Sequence, residues 1–217
     1  MCCDAGMQGT STARRAPMGR SSSACGALGL AELAIQVARG LADACTISCM
    51  DKHDLNHMWE EHCKHEFTTR DVNATLDTMV EDAYVNHVPT LTGGVGKPAL
   101  REFYARDFIP SMPPDTTLRP LSRTIGEDRL VDEMIFSFTH SQEIPWMLPG
   151  IPPTNRRIEI AMVAIVKFRE GKLAHEHIYW DQASVLKQIG LLTDERLPVF
   201  GVETVRKLIE LQSAAAM

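Results

Sequence analysis

Residues 157–181 read RIEIAMVAIVKFREGKLAHEHIYWD and hold the pattern that decides the fold. Apolar and β-branched residues dominate both sides of Glu170-Gly171-Lys172, which is typical of β-strands. A short link that contains Gly between two such runs favours a tight hairpin turn. The stretch therefore predicts two antiparallel strands, at 157–169 and 173–181.

The chain upstream of this hairpin changes from helical to strand periodicity. Strand patterns occur at 83–88, 116–125 and 129–140. Apolar residues at helical spacing predict helices over 51–68, 71–80 and 98–109, and a further helix over 182–189. A Gly-rich loop is predicted at 90–96 and a Pro-rich loop at 141–156. Helices followed by a strand meander predict an α+β fold, with helices on one face of a curved antiparallel sheet.

The ends of the chain differ in composition from this central domain, which we place at 50–193. Residues 1–30 carry three Arg and one acidic residue among Ser, Thr, Ala and Gly, a composition that fits a targeting segment or a disordered extension. We therefore treat 1–49 as an extension. Residues 194–217 are expected to form a tail with a short helix at 202–211.

Composition limits the function classes. The net charge of −6 argues against general nucleic-acid binding, and no apolar run is long enough to span a membrane. Five of the six Cys precede residue 50, so only Cys63 lies in the central domain and a reducing compartment is favoured. We expect a cytoplasmic protein, or an organellar one if residues 1–49 act as a transit peptide.

Several motifs together carry a family resemblance. They are LPGIPPTNR at 148–156, FREGKL at 168–173 and LKQIGL at 186–191, with acidic residues at Glu176 and Asp181. In these motifs the chain resembles SnoaL-like polyketide cyclases of the nuclear transport factor 2-like superfamily, to which ketosteroid isomerase also belongs. The resemblance covers about residues 55–193, and Asn155 stands where the family usually has Gly.

The resemblance implies a cone-shaped α+β fold with a deep apolar pocket between helices and sheet, often in a homodimer. It also implies acid–base chemistry without a cofactor, such as an aldol ring closure in which an acidic residue removes a proton beside a carbonyl. In those cyclases a His before the loop and an acid on the next strand carry the reaction. His140 and Glu159 occupy the nearest positions here.

Strand alternation gives further candidates. On strand 129–140 both faces are mostly apolar, so burial should raise the pKa of Asp132 or Glu133 and make either a general acid or base. The alternative for this carboxylate is an ion pair with an Arg such as Arg123. On strand 173–181, Glu176 and Trp180 share one face and His177, Tyr179 and Asp181 share the other. Either face could line the pocket, and Asp181 could instead cap the final helix.

The helices and loops add polar and aromatic candidates. His62 and Glu66 are four residues apart on the first predicted helix, where they could reach a ligand or simply contact each other. His87 ends the short strand before the Gly-rich loop and could donate to a ligand. Tyr84, Tyr104 and Trp146 are expected to line the pocket or pack in the core.

The leading hypothesis is a cofactor-independent enzyme that acts on a small apolar carbonyl compound by cyclisation, isomerisation or dehydration. Glu133, Glu159 or Glu176 would be the base, and His140, His87 or Tyr179 would stabilise the enolate oxygen. One alternative is a non-catalytic module that binds a small molecule or dimerises. Another is a metal enzyme that uses His175, His177 and Asp181.

Overall fold

The computed structural model describes residues 52–215, so the extension predicted for 1–49 lies outside the described residues. Helix α1 (Lys52–Cys63) continues as a π-helical segment, Lys64–Thr69, which ends at Arg70 in the left-handed conformation. Helix α2 (Val72–Asp77) is short and starts at Asp71, whose carboxylate accepts hydrogen bonds from two backbone N–H groups. Helix α3 (Gly96–Glu102) continues as a second π-helical segment, Phe103–Phe108.

Six strands form one curved, unclosed sheet. They are β1 (Met79–His87), β2 (Thr92–Val95), β3 (Thr117–Ile125), β4 (Arg129–Thr139), β5 (Arg157–Arg169) and β6 (Lys172–Trp180). The strand order is β2-β1-β6-β5-β4-β3. Strands β3 to β6 make the predicted antiparallel meander, and β1 pairs in parallel with β6. The predicted α+β class is confirmed.

The segment around the predicted Gly-rich loop differs from expectation in two places. The second helix stops at Asp77, because Met79 and Val80 already belong to β1. Within 90–96, residues Thr92–Val95 form β2 and pair with β1. Gly93 permits this pairing, since its φ is +134° and a Cβ atom there would collide with the carbonyl oxygen of Val85.

Two loop positions use left-handed backbone. Glu170 and Gly171 both have positive φ, which matches the right-handed twist of the β5–β6 hairpin. Asn155, at the end of the Pro-rich loop, has φ +56°. Asn tolerates this conformation better than most residues, so it can replace the Gly that the resemblance led us to expect.

The core lies between the helices and one face of the sheet, which we call the inner face. Along β5 every second residue is buried there, from Ile158 to Phe168. After β6 the chain forms helix α4 (Gln182–Gln188) and helix α5 (Glu203–Ala215), and α5 lies against β5. No helix among residues 52–215 is long and apolar enough to cross a membrane.

Candidate functional site

A cavity of about 190 Å³ opens between the inner face of the sheet and the helical segments. Its wall is mainly apolar and aromatic, and Tyr104, Phe108 and Trp146 belong to it. The remaining aromatic lining residues are Trp59, Phe67, Phe103 and Phe136. The charged or titratable lining residues are Cys63, Glu66, His87, Arg123, Asp132 and Glu176. Such a cavity, apolar with a few convergent polar groups, is typical of small-molecule sites.

Three buried ionisable groups meet at one end of this cavity. His62 Nε2 lies 3.1 Å from Glu66 Oε1 and 3.1 Å from Glu176 Oε1. The side chains are 0 %, 5 % and 3 % exposed, respectively. The spacing of four residues along the helical segment brings His62 beside Glu66, and β6 supplies Glu176 from the sheet. We call these three residues the carboxylate–histidine cluster.

Thr78 fixes the proton on one side of this imidazole. Its hydroxyl donates to the Thr75 carbonyl at 2.6 Å, so it accepts from His62 Nδ1, also at 2.6 Å. Burial opposes a charge on His62, but the two neighbouring carboxylates outweigh it and raise the His62 pKa to about 10. The ring is therefore an imidazolium at neutral pH, with its Nε2–H directed at Glu66 Oε1 and with Glu176 Oε1 beside it as an ion-pair partner.

Glu176 is the less satisfied of the two carboxylates. The single Nε2 proton of His62 is aligned with Glu66 Oε1, and Glu176 Oε1 has no hydrogen-bond partner among the described residues. Burial raises the Glu176 pKa, the His62 imidazolium opposes that rise, and Glu66 adds to it. Because its pKa is raised, this carboxyl group holds a proton to higher pH than an exposed Glu does and is a stronger base once ionised, which suits acid–base catalysis.

His87 is a second polar group in the cavity wall, and it is neutral. Its ring lies among aromatic rings, with centroid distances of 5.0 Å to Trp146, 5.5 Å to Phe103 and 5.7 Å to Phe108. Burial lowers the His87 pKa to about 3. Its Nδ1 atom has no hydrogen-bond partner among residues 52–215.

Asp132, by contrast, is fully engaged. Its carboxylate accepts two hydrogen bonds from Arg123 and one from Trp59 Nε1 at 2.8 Å. This is the ion pair considered as the alternative to a catalytic role. This pairing neutralises the guanidinium of Arg123, which is the Lys or Arg side chain that lines the cavity among residues 52–215.

Several predicted site residues lie on the opposite, outer face of the sheet. Glu133 accepts a hydrogen bond from Ser122, and Glu159 lies 3.9 Å from Arg157. Tyr84 Oη is 2.9 Å from His177 Nε2, and Tyr179 is 41 % exposed. Strand alternation keeps these five side chains away from the cavity. It puts Asp132 and Glu176 inward and the residues next to them in sequence outward.

Three more predicted residues also lie outside the cavity wall. His140 is buried, and its Nδ1 accepts from the Thr154 backbone N–H at 3.3 Å. Trp180 Nε1 donates to Gln182 at 2.6 Å. Asp181 caps helix α4, since its carboxylate accepts from two backbone N–H groups there. Capping was the other role expected for Asp181.

The metal site predicted from His175, His177 and Asp181 does not form. Six residues of extended strand span about 20 Å, so Asp181 cannot share an ion with His175. Within the described residues, the group whose ligand atoms lie close enough to hold a metal ion, within 4.8 Å of one another, is the carboxylate–histidine cluster. One imidazole and two carboxylates are ligand types that suit Zn²⁺ or Fe²⁺.

Thr78 and Trp59 are site residues that the sequence reasoning missed. Trp59 stacks on the His62 ring at a centroid distance of 5.7 Å and an angle of 14°. Trp59 is one of the apolar residues at helical spacing within 51–68. Its position three residues before His62 could have suggested that the two rings lie side by side. No local signal connects Thr78 with His62, because the contact depends on how α2 packs against α1.

Comparisons with known proteins agree with this architecture. Residues 54–189 match the model of the SnoaL-like polyketide cyclase family, and the chain belongs to that family. TsrD from Streptomyces laurentii has a similar fold, with a TM-score of 0.52, 19% identity, and coverage of 66% of this chain and 99% of TsrD. AclR from Streptomyces galilaeus gives 0.52 at 17% identity, covering 76% of this chain and 99% of AclR.

A SnoaL-like protein from Jannaschia sp. CCS1 gives a TM-score of 0.50 at 15% identity, covering 61% of this chain and 92% of its own. At these identities the solved structures establish the fold alone. No curated protein matches the chain significantly.

Proposed function

We propose that this protein is a cofactor-independent enzyme that moves a proton on a small, uncharged carbonyl compound, with Glu176 as the general base. The observation that carries the proposal is the Glu176 carboxyl group. It is buried, lines an apolar cavity and has an oxygen atom without a hydrogen-bond partner in the described chain. The pairing of Arg123 with Asp132 supports an uncharged substrate, because Arg123 is the Lys or Arg side chain that lines the cavity among residues 52–215.

In the proposed reaction, Glu176 removes a proton from the carbon beside the carbonyl. The electron pair of that C–H bond forms a C=C bond, and the π electrons of the C=O bond move to the oxygen atom. Tyr104 donates a hydrogen bond to the resulting enolate. Burial and the nearby carboxylates, among them Glu66, raise the Tyr104 pKa, so the hydroxyl keeps its proton. Oη makes no well-aligned hydrogen bond among residues 52–215. Return of the proton to another carbon gives isomerisation, and attack of the enolate on a second carbonyl gives aldol cyclisation.

His62 and Glu66 act on Glu176 rather than on the substrate in this scheme. The His62 imidazolium at 3.1 Å stabilises the ionised form of Glu176 and opposes the rise in pKa that burial causes. Glu66 holds the Nε2 proton of His62 at 3.1 Å and prevents its transfer to Glu176. We expect their removal to shift the pH profile of the reaction more than its specificity.

The test is exchange of the protons beside the carbonyl of cyclohexanone in D₂O, followed by NMR. We expect wild-type protein to accelerate exchange, and Glu176→Gln to lower the rate by about 10²–10⁴-fold, the usual contribution of a general base. Glu159→Gln is the matched control, because its carboxylate lies on the outer face. Equal rates for wild type and Glu176→Gln would overturn the proposal.

A non-catalytic binding module is the second candidate, and the enclosed aromatic wall of the cavity favours it equally. This alternative predicts ligand binding without proton exchange, and an affinity of Glu176→Gln within a few fold of the wild-type affinity.

Elemental analysis of the same sample tests for a metal at the carboxylate–histidine cluster. The homodimer and the cellular compartment stay predictions, which native mass spectrometry and fractionation would test.

A further inference from the structure

Four buried polar atoms without hydrogen-bond partners belong to residues that line the cavity. They are Glu176 Oε1, Tyr104 Oη, His87 Nδ1 and Trp146 Nε1. In the described chain only two other buried side-chain atoms lack partners, on Thr116 and His140, and neither residue lines the cavity. Buried polar groups are normally paired, so this concentration indicates groups that a ligand satisfies.

The four atoms form two separate ends. Glu176 and Tyr104 adjoin the carboxylate–histidine cluster, since the Tyr104 ring meets His62 edge-on at 6.4 Å. His87 and Trp146 form the other end, with their ring centroids 5.0 Å apart. Val85 pairs with Glu176 and His87 pairs with Ile178, so the two ends are offset by one two-residue repeat along neighbouring strands. The Cα atoms of Glu176 and His87 are therefore about 8 Å apart on the diagonal.

The two ends require different chemical groups. Tyr104 is a donor for a carbonyl oxygen, next to the carboxyl group of Glu176. Trp146 Nε1–H is a donor only, whereas a neutral His87 offers one donor and one acceptor nitrogen. A hydroxyl group suits the second end, because its oxygen can accept from Trp146 while its proton is donated to His87 Nδ1.

The cavity volume sets the size of what can lie between these ends. An engineered apolar cavity of about 150 Å³ holds benzene, so a volume of about 190 Å³ leaves room for one ring and small substituents. A second fused ring would exceed this volume and would have to protrude from the cavity.

We propose that the cavity binds an uncharged compound of a single six-membered ring, with a carbonyl group held by Tyr104 and a hydroxyl group on the opposite carbon held by His87 and Trp146. The identity of the carbonyl end rests on the proposed function. The hydroxyl end rests on the unpartnered nitrogen atoms and is independent of catalysis.

The experiment measures binding of three probes by ligand-observed NMR and calorimetry. The probes are 4-hydroxycyclohexanone, 4-methylcyclohexanone and the bicyclic 6-hydroxy-2-decalone. We expect the hydroxy compound to bind about tenfold more tightly than the methyl compound, which leaves two buried nitrogen atoms unsatisfied. The decalone should bind at least about tenfold more weakly than 4-hydroxycyclohexanone, because one ring lacks space.

Variants separate the hydroxyl end from the rest of the site. In His87→Phe and Trp146→Phe the preference for hydroxyl over methyl should fall to within about twofold, since each loses a polar atom but keeps an aromatic ring. Glu176→Gln should keep the preference. Circular dichroism and thermal melts establish that each variant is folded.

The outcomes distinguish this inference from the proposed function. Equal affinity of wild-type protein for the hydroxy and methyl probes, or for one and two rings, would overturn the ligand class while exchange of cyclohexanone protons could persist. A hydroxyl preference that depends on His87 and Trp146, without any proton exchange, would support the ligand class and exclude the proposed catalysis. A preference that survives both aromatic substitutions would also refute the inference.

Discussion

The buried His87 gives the sharpest prediction about stability. Its ring is 3 % exposed among Phe103, Phe108 and Trp146, and burial lowers its pKa from 6.5 to about 3. Because the folded-state pKa is below the unfolded one, the unfolded chain takes up this proton first as the pH falls. The contribution of neutral His87 to stability is therefore complete above pH 6.5 and is lost as the pH falls from 6.5 towards 3.

The magnitude follows from the shift. Each pH unit below 6.5 lowers the free energy of unfolding by about 1.4 kcal/mol, so the loss is about 3 kcal/mol at pH 4.5. It approaches about 5 kcal/mol near pH 3. That is a large part of the total stability of a domain, which is typically about 5–15 kcal/mol.

The perturbation is His87→Phe, which keeps an aromatic ring and removes the titration. Urea unfolding of wild type and variant is followed by circular dichroism at pH 7.5 and pH 4.5. Carboxylates shared by both proteins cancel in the difference. We expect the stability of His87→Phe relative to wild type to improve by about 3 kcal/mol on going to pH 4.5.

A matched control comes from the same aromatic cluster. Phe103→Leu has no titrating group at that position, so its stability relative to wild type should be the same at both pH values. If the difference between His87→Phe and wild type changes by less than about 1 kcal/mol, His87 is protonated or hydrated in the folded protein. That outcome would contradict the burial of a neutral His87 among aromatic rings.

Three further substitutions test single contacts. Thr78→Val removes the acceptor for His62 Nδ1–H and should lower the free energy of unfolding by about 1–3 kcal/mol. Thr78→Ser keeps a hydroxyl group and should retain most of the wild-type stability. Equal urea midpoints for the Val and Ser variants would contradict the assignment of a proton to His62 Nδ1. Asp181→Ala removes the N-cap of helix α4 and should lower the free energy of unfolding by about 1 kcal/mol. The rate of proton exchange on cyclohexanone should not change. A large decrease in that rate would instead give Asp181 a part in the chemistry. Gly93→Ala should lower the melting temperature more than Gly150→Ala. Both Gly residues have positive φ, but of the two only Gly93 faces a backbone atom. Similar decreases in melting temperature would argue against the close approach of β1 and β2.

The β5–β6 hairpin could be predicted from sequence because its evidence is local. The β-branched runs and the Glu170-Gly171 turn each favour the observed structure without help from the rest of the chain. The three Gly residues within 90–96 predict a loop over Thr92–Val95, because Gly has low strand propensity. Its pairing with β1 depends on the close approach at Gly93, and a backbone contact of that kind leaves no pattern of apolar residues.

The candidate site could be predicted only up to the choice of strand face. Alternation correctly separated Glu176 from His177 and Tyr179, but a single strand carries no information about which face meets the helices. That choice depends on β6 pairing between β1 and β5 and on α1 covering the inner face. The same limit kept Glu133 and Glu159 as candidates beside Glu176, although the structure puts these two on the outer face.

The charge balance of the carboxylate–histidine cluster explains why Glu176 suits proton transfer. With His62 protonated and both carboxylates ionised, the cluster would carry one net negative charge in an apolar wall. A buried net charge is unfavourable, and a proton on Glu176 removes it, in agreement with its raised pKa. An apolar ring that fills the cavity expels water and raises this pKa further. Only the ionised form of Glu176 can take up the substrate proton. A higher pKa makes that form a stronger base but a less populated one, so the proposed reaction should speed up as the pH rises through the Glu176 pKa.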